Sequence, residues 1–246
     1  MAKVAVLILT YNEEKNIVDC IKSAAFADEI ILIDSGSTDQ TQSLAESLGA
    51  RVIVHPMDEA GFAGQRNFAL EETQAEWVFY LDADERLTPA AGEEIRSIVD
   101  KNESAAWEIK RMNIVLGQLM RHGAHRPDWS MRLYPRTAVK WEGVVHEAAR
   151  IAVPQHRMQA VMQHYTYNDW DSYFQKFNRY TTMAADTLAK RGKTAGLTKV
   201  LLHPPFAFIK AYILKQGFRD GFLGFIMSVM AGFAVFVKYL KLRQLQ

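Results

Sequence analysis

The chain has 246 residues, of which 49% are hydrophobic and 23% charged, so it can bury a core as one large domain or as one domain with an appendage. Its single cysteine, Cys20, excludes an internal disulfide and a cysteine-rich zinc site, and a reducing compartment is expected. Met1 leads directly into a strand-like run, so no signal peptide is expected.

Charge is unevenly distributed, although the formal net charge is only +1. From Leu188 to Gln246 the chain has ten Lys or Arg and one acid, Asp220, whereas the residues before Leu188 include 19 basic and 27 acidic side chains. This asymmetry indicates two regions with different partners. We expect one domain over residues 1–165 and a helical region over residues 166–246.

The first hundred residues alternate between apolar strand-like runs and helical patterns. Four such alternations predict a parallel sheet with right-handed crossovers and helices on both faces. The segment from Ala105 to Met162 holds shorter strand-like pieces and is expected to complete the same domain. The predicted strands of the first part are Lys3–Tyr11, Glu29–Asp34, Arg51–His55 and the run that starts at Trp77.

The rest of the domain is organised around Trp77–Arg86, WVFYLDADER. Its five apolar residues predict a buried strand, and Asp82 and Asp84 then fall in the loop at the carboxyl end, where open α/β sheets bind ligands. Two carboxylates one residue apart suit a Mg²⁺ or Mn²⁺ ion that bridges to phosphate oxygens. The structural alternative is that they only cap the turn.

Polar loops also follow the first two strands. Thr10–Glu13 comes after the first and Asp34–Ser37 after the second. Because the carboxyl ends of parallel strands meet at one edge, the three loops are expected to face a single ligand.

The tail between Phe206 and Tyr239 is rich in Phe, Ile and Met, and Gly221–Val237 holds 17 residues without a charge. Spanning a bilayer takes roughly 20 apolar residues, so this run is at the short limit. Flanking Lys and Arg suit an anchor at an anionic lipid surface. A helix pair lying in the cytoplasmic leaflet is the preferred interpretation, and a single span and a soluble oligomer interface are the alternatives.

Four segments in this order resemble the motifs of the family 2 inverting glycosyltransferases with the A-type fold. The resemblance covers about residues 3 to 150. The second half, with Val145-His146-Glu147 and the basic apolar tail, looks like the branch that contains the lipopolysaccharide inner-core β-1,4-glucosyltransferases. The four segments are Leu9–Glu14 (LTYNEE), Asp34–Asp39 (DSGSTD), Gly64–Asn67 (GQRN) and Asp82–Asp84 (DAD).

The fold implied by the resemblance is α/β: a Rossmann-like, mostly parallel sheet with helices on both faces, followed by a C-terminal helical, basic and apolar tail that associates with the membrane. For the metal, the resemblance implies Asp84 as a direct ligand and Asp82 as a contact to ribose or, through water, to the metal. His146 is a candidate ligand of the metal or the diphosphate, and a satisfied strand histidine is its structural alternative.

The resemblance also implies a donor pocket. Asp34 is expected to accept the uracil N–H, since a carboxylate suits a base edge that offers a donor. Thr10, Tyr11 and Glu13 are expected to line the same pocket. Arg66 is expected to contact the diphosphate or sugar, because its guanidinium suits multidentate phosphate contact; a surface salt bridge is the alternative.

Direct displacement at the anomeric carbon needs one general base and no covalent partner. Related families often place a Glu-Asp pair at the corresponding position, which this chain lacks. Glu147 is therefore the first candidate for the base and Glu142 the second. Trp129 and Arg132 are expected to shape the acceptor side and hold phosphate, although Trp129 could belong to the core.

The resemblance thus implies a metal-dependent inverting hexosyltransferase at the cytoplasmic face of the inner membrane, peripheral or monotopic. It would move glucose from UDP-glucose to a lipid-linked saccharide such as the lipopolysaccharide core, and no nucleic-acid partner is expected. The alternatives are a polyprenyl-phosphate acceptor, an ADP-heptose donor, a nucleotidyltransferase, and a non-catalytic sugar-nucleotide or lipid-binding module.

Overall fold

The structure is a computed structural model that describes residues 1–143 and 148–246. The described chain forms two compact units. Unit 1 comprises Met1–Arg111 and Asp128–His164, and unit 2 comprises Met112–Pro127 and Tyr165–Gln246. The expected division into functional domains at residue 165 stays a prediction.

Most of the described strands lie in unit 1. In the part of the chain that the structure describes, nine strands form one sheet with the order β3-β2-β1-β4-β8-β6-β11-β5, and β7 pairs with β6. β9 and β10 form a separate two-stranded sheet. The strands are β1 (Val4–Thr10), β2 (Glu29–Asp34), β3 (Arg51–Val54), β4 (Trp77–Asp82), β5 (Glu85–Leu87), β6 (Ala106–Val115), β7 (Gln118–Leu119), β8 (Asp128–Pro135), β9 (Val139–Glu142), β10 (Ala148–Ile151) and β11 (Gln155–Tyr167).

The first four strands are parallel, as predicted, and β1 lies between β2 and β4. The register pairs Thr10 with Asp34 and Leu9 with Asp82. The loops after β1, β2 and β4 therefore begin at one edge of the sheet, which confirms their expected proximity.

The prediction of a mostly parallel sheet is wrong for the second half. β8 is antiparallel to β4 and β6, and β11 is antiparallel to β5. A parallel neighbour requires a long crossover, usually a helix. Between the helix Pro89–Lys101 and the helix Trp170–Lys190, the described residues form only two short 3-10 helices besides strands and loops. The sheet of this α/β fold is therefore mixed.

Side chains of the central strands alternate between two cores, one on each face of the sheet. Val6 and Phe79 belong to one core, and Leu7 and Tyr80 belong to the other. Because both faces are covered, β1 and β4 have no polar positions before their last residues, which explains their continuous apolar runs.

Seven α-helices connect or follow the described strands. α4 has the clearest boundary signals: the Thr88 hydroxyl accepts a hydrogen bond from the Ala91 amide, Pro89 is its first residue, and Asn102 ends it in the left-handed conformation. The helices are α1 (Ile17–Ser23), α2 (Thr41–Ser47), α3 (Gly61–Glu71), α4 (Pro89–Lys101), α5 (Trp170–Lys190), α6 (Leu197–Ile209) and α7 (Gly221–Gln244).

Cys20 lies in α1 and is completely buried in the core of unit 1. Its Sγ atom is 3.6 Å from the carbonyl oxygen of Asp82. Burial raises the pKa of the thiol, so Cys20 stays protonated.

Unit 2 is built on α5, α6 and α7. Asp169 begins α5 through a capping box with Ser172. The buried carboxylate of Asp220, just before α7, accepts hydrogen bonds from the amides of Arg121 and His122 and contacts the His122 ring at 2.9 Å. The segment Met112–Pro127 is thus tied to the start of α7 within this unit.

The apolar tail forms helices, as expected. Gly217–Gln244 is long and apolar enough to cross a membrane, with a mean hydropathy of 1.9 in its best window, of which 28% is buried. Length and composition alone are weak grounds for a membrane span, since a core helix can meet the same criteria. Large exposed apolar side chains are nevertheless frequent in the tail from Phe206 onward. They include Phe206, Ile213, Leu214, Phe218 and Phe222.

Candidate functional site

Asp34 is fully buried at the end of β2. Its Oδ2 atom accepts hydrogen bonds from the amides of Gly36 and Ser37 and from the Gln42 side chain, and its Oδ1 atom accepts one from the Ser37 hydroxyl. The residue therefore holds its own loop in shape. A carboxylate has about four acceptor sites, so Oδ1 retains the capacity for a further donor.

The loop after β1 lies against the loop after β2. The Asn12 amide donates to Ser37 Oγ, and the Glu13 amide donates to Thr41 Oγ1. Thr10 is buried, and its hydroxyl has no hydrogen-bond partner among the described residues. Tyr11 is 58% exposed and is therefore free to contact a ligand. Thr10 pairs with Asp34 in the register of β1 and β2, and the expected lining of a donor pocket by Thr10, Tyr11 and Glu13 stays a prediction.

Arg66 lies on α3 and is only 9% exposed. Its guanidinium carbon is 4.5 Å from the centre of the Trp141 ring, and its Nη2 atom is 3.6 Å from Asp82 Oδ1. Within the described chain, Nε and Nη1 are buried without a hydrogen-bond partner. An unsatisfied buried donor is costly, so this guanidinium is suited to an additional anionic ligand.

Asp82 ends β4 within a network of charges. The Nη2 atom of Arg132 donates to Asp82 Oδ2 at 2.7 Å and to Glu85 Oε1 at 2.6 Å. Burial alone would raise the pKa of Asp82, but Arg132 and Arg66 outweigh it and hold that pKa well below its usual range. Burial would likewise lower the pKa of Arg132, but the carboxylates of Asp82 and Glu85 raise it. Both side chains therefore remain charged.

Arg132 is placed in this network by an irregularity of the sheet. On β6, Trp107 pairs with Leu133 and the next residue, Glu108, pairs with Met131. Arg132 is thus the extra residue of a β-bulge in β8, a device that redirects a side chain next to functional sites. The sequence singled out Arg132 but gave no sign of the bulge or of its pairing with Glu85.

Asp84 lies beside His164, a residue that sequence reasoning missed. The His164 Nε2 atom is 3.4 Å from Asp84 Oδ2, and both side chains are mostly buried, with 15% and 18% exposed respectively. His164 is on β11, eighty positions along the chain, and pairs with Glu85 in the register of β11 and β5. An isolated histidine in a strand carries no motif, so only the pairing reveals this neighbour.

The residues near β4 provide part of a ligand set for a divalent cation. Asp84 supplies a carboxylate and His164 an imidazole, both ordinary metal ligands. No group of three or more His, Cys, Asp or Glu side chains arranged to hold a metal occurs among the described residues. Mg²⁺ commonly uses one or two carboxylates together with substrate phosphates and water, and this pair fits such a site.

The candidates for the base and the third metal ligand are in or near the segment 144–147. His146 and Glu147 lie outside the described residues. Glu142 ends β9, has a side chain that is 52% exposed, and lies 3.5 Å from Arg150. Among the described residues, Glu142 is therefore a half-exposed carboxylate that takes part in a surface ion pair.

Asn67 connects α3 to β9. Its side-chain amide donates to the Trp141 carbonyl at 2.8 Å, and its carbonyl oxygen accepts from the Trp141 amide at 2.9 Å. The same Trp141 packs over the Arg66 guanidinium. Asn67 thus fixes the aromatic ring that orients Arg66, a role that the sequence did not predict.

Trp129 is not a core residue, because it is 37% exposed on β8. The guanidinium carbon of Arg157 lies 4.7 Å from its ring centre, and Arg157 also donates to Glu108. A cation stacked on an exposed aromatic ring forms a surface that could contact a sugar or a phosphate. Its expected role on the acceptor side stays a prediction.

Comparison with known proteins gives the class of the chain. The model of the family described as "Glycosyl transferase family 2" matches residues 5–158. The chain belongs to this family of glycosyltransferases, and the motifs that suggested it lie in the matched region. The family assignment favours glycosyl transfer over nucleotidyl transfer.

Two curated relatives match over nearly the whole chain. The lipopolysaccharide core biosynthesis glycosyltransferase LpsC of Rhizobium meliloti is 31% identical, over 96% of this chain and 90% of the relative. An uncharacterized glycosyltransferase of Rickettsia typhi is 29% identical, over 100% of this chain and 88% of the relative. The similarity therefore extends beyond the family segment into the C-terminal helices.

The similar solved structures have a lower sequence identity to this chain than the two relatives above. TarS of S. aureus is 15% identical to this chain, with a TM-score of 0.49. The match covers 99% of this chain and 54% of TarS, so this chain spans about half the length of TarS. Glucosyl-3-phosphoglycerate synthase from Mycobacterium tuberculosis, in complex with Mg²⁺ and uridine diphosphate, is 18% identical with a TM-score of 0.47, over 78% and 80%. Both TM-scores are below 0.5.

Proposed function

We propose that the chain is a metal-dependent inverting hexosyltransferase that moves glucose from UDP-glucose to a membrane-anchored glycolipid, the inner core of lipopolysaccharide. The observation that carries this proposal is the group at the end of β4. Arg66 lies there with Nη2 3.6 Å from Asp82 Oδ1 and with Nε and Nη1 buried without a hydrogen-bond partner among the described residues, and Asp84 lies next to His164. These groups combine donors for a diphosphate with ligands for a cation.

The donor is proposed to bind along the edge formed by β2, β1 and β4. Asp34 would accept the uracil N–H through Oδ1, and Thr10, Tyr11 and Glu13 would surround the nucleoside. Asp82 would contact the ribose, and Arg66 would donate its free N–H groups to the diphosphate. A divalent cation held by Asp84 and His164 would neutralise charge on the leaving diphosphate.

Transfer is proposed to occur in a single displacement. The acceptor hydroxyl oxygen bonds to the anomeric carbon as the bond from that carbon to the diphosphate oxygen breaks. A carboxylate, Glu147 or Glu142, takes the hydroxyl proton, and UDP leaves with the electron pair of the broken bond. The configuration at the anomeric carbon is inverted because only one displacement takes place.

Two observations support the proposed acceptor: the similarity to LpsC, and the exposed apolar and basic side chains of unit 2. The name of LpsC describes it as a lipopolysaccharide core biosynthesis glycosyltransferase. The match to LpsC covers 96% of the present chain. The exposed apolar side chains of α6 and α7, together with the basic residues of the tail, suit an enzyme that works at the cytoplasmic face of the inner membrane. His146 remains a candidate third ligand of the cation.

The first experiment is calorimetric binding of UDP-glucose, UDP-galactose, GDP-mannose and an ADP-heptose, with Mn²⁺, with Mg²⁺ and with chelator. UDP-glucose is expected to bind only with metal, and Asp84→Ala and His164→Ala are expected to abolish that binding. His156→Ala is the control, since His156 is an exposed histidine that stacks on Trp107. Preference for ADP-heptose would reassign the donor, and binding that is indifferent to metal would refute the proposed cation site.

A polyprenyl-phosphate acceptor is the second candidate, and the apolar surface of α6 and α7 is equally compatible with it. Such an acceptor is already ionised and needs no strong base. Glu147→Gln and Glu142→Gln are therefore expected to reduce turnover by a factor of about 10² or more with a hydroxyl acceptor, but to change it little with a polyprenyl phosphate.

A further inference from the structure

Unit 2 contains an apolar groove between α5 and α7 with a volume of about 280 Å³. Each helix contributes one face, at spacings of three or four residues, which is the repeat of a helix surface. The groove belongs to neither the nucleotide loops nor the charged network of unit 1. The side chains that define it are Tyr173, Phe177 and Ala184 from α5 and Met227, Ala231 and Ala234 from α7.

The groove exists because small side chains face each other while the helices are held in place at other positions. Ala184, Ala231 and Ala234 leave the space that larger apolar residues would fill. The Lys241 ammonium of α7 is bound by the Asn178 side chain and by the hydroxyls of Thr181 and Thr182 on α5. These contacts maintain the helix spacing, so the groove is already formed without a ligand.

One end of the groove carries a positive charge. Lys238 lines it and is only partly exposed. None of the ion pairs found in the described part of the chain includes Lys238, and the only acid after Leu188 is Asp220, which is engaged by His122. The Lys238 ammonium lies 4.6 Å from the centre of the Tyr239 ring. A ring face does not replace a carboxylate, so this partly buried ammonium is suited to an anionic group from outside the protein.

We propose that this groove binds one hydrocarbon chain of an anionic membrane lipid, with the head group of the lipid at Lys238. The apolar walls match a hydrocarbon chain, the charge matches an anionic head group, and the groove is continuous in sequence with the exposed apolar residues of α7. Its volume exceeds the roughly 150 Å³ of an engineered apolar cavity that binds benzene. The proposal does not depend on the identity of the donor or on sugar transfer.

The test uses the full chain and dodecyl phosphate below its critical micelle concentration, with binding measured by isothermal titration calorimetry. One molecule of dodecyl phosphate is expected to bind per chain, and inorganic phosphate is expected not to bind measurably. Dodecyl maltoside, which has the same chain and no charge, is expected to bind more weakly than dodecyl phosphate.

Two variants separate the chain site from the head-group site. Ala234→Leu adds three carbons to the side chain that lines the groove and is expected to lower the affinity by roughly tenfold or more, since each excluded methylene weakens apolar binding. Lys238→Gln is expected to lower the affinity for dodecyl phosphate by roughly fivefold to tenfold but to leave the affinity for dodecyl maltoside unchanged.

The matched controls are Val229→Leu and Lys190→Gln. Val229 is an exposed α7 residue outside this groove, and Lys190 is an exposed basic residue at the end of α5. Neither is expected to change the affinity. Equal effects of Lys190→Gln and Lys238→Gln, unaltered binding to Ala234→Leu, or binding of several molecules per chain would each refute the proposal. UDP-glucose binding, measured in parallel, reports on the donor site separately.

Discussion

Arg132 connects two carboxylates that the sequence presents as parts of one acidic run. Glu85 is fully buried and accepts from Arg132, and Asp82 accepts from the same nitrogen. Separate roles follow for neighbouring residues of the motif: Glu85 is a buried structural carboxylate, whereas Asp84 lies beside His164. Spacing alone could not distinguish these roles, because the carboxylates are chemically alike. The residue that distinguishes them is Arg132, which is forty-seven residues along the chain from Glu85.

Replacing Arg132 by Met is expected to lower the free energy of unfolding by about 3 kcal/mol, because Glu85 would remain buried without its main counter-charge. Denaturant unfolding followed by circular dichroism measures this loss. Arg150→Met is the control. The Arg150 side chain is 79% exposed and forms a surface ion pair with Glu142, and its loss is expected to change the unfolding free energy by less than about 0.5 kcal/mol. Equal losses would mean that the network does not stabilise the fold.

At the scale of elements, the strands β1, β2 and β4 and the loops that follow them could be predicted well. Their apolar runs are continuous because both faces of the sheet are buried, and polar loop residues mark where each strand ends. The antiparallel half was predicted poorly, since its strands are half exposed and mix charged with apolar residues. His164 was missed for the same reason: its place beside Asp84 depends on the pairing of β11 with β5.

The contact between α3 and β9 leads to a prediction about Asn67. Asn67→Ala removes two hydrogen bonds to Trp141 and is expected to cost about 1–3 kcal/mol of stability. Since Trp141 packs on Arg66, the variant is also expected to raise the KM for the donor, with a smaller effect on kcat. Asn67→Asp retains the acceptor for the Trp141 amide. Its stability and its KM for the donor are expected to lie between those of the natural chain and those of Asn67→Ala. An unchanged donor KM in a destabilised Asn67→Ala protein would show that Asn67 has no positioning role.

The junction of β1 with α4 predicts a pH dependence. Asp28 accepts two hydrogen bonds from Arg96 and one from the Val4 amide. The Arg96 hydrogen bonds outweigh burial and lower the pKa of Asp28 below 3.8. Its stabilising contribution is therefore fully present above the ordinary pKa of the unfolded chain and is lost as the pH falls through the lower folded value.

Asp28→Asn is accordingly expected to be less stable than the natural chain at pH 6 and to lose less further stability on acidification, between about pH 5 and pH 2. Unfolding free energies measured across this range provide the comparison. Parallel pH profiles for the two proteins would mean that the pKa of Asp28 is not lowered by folding.

At the scale of the whole molecule, catalysis and membrane contact are proposed for different units. The donor site is composed of residues of unit 1, whereas the candidate span and the lipid groove belong to unit 2. The sequence indicated this separation through its charge asymmetry and its apolar tail. It could not determine how the tail meets a bilayer, because length and composition are equally compatible with a span, an interfacial helix pair and a protein interface.

Vesicle flotation distinguishes these three possibilities. The full chain is expected to float with vesicles that contain anionic lipid, to be released by high salt, and to bind neutral vesicles weakly, because the basic side chains of the tail supply part of the attraction. A spanning helix would resist salt and require detergent for extraction. A soluble chain that forms a concentration-dependent dimer and ignores vesicles would favour the oligomer interface instead.

The burial of Cys20 provides a way to observe the motions of unit 1. A protonated thiol without solvent access reacts with an alkylating reagent only when the surrounding core opens, so its modification rate reports the frequency of that opening. Comparing the rate with and without donor would show how far ligand binding restrains α1 and β4. Because the chain has no other cysteine, a cysteine introduced at the surface could be labelled selectively, without first removing the natural one.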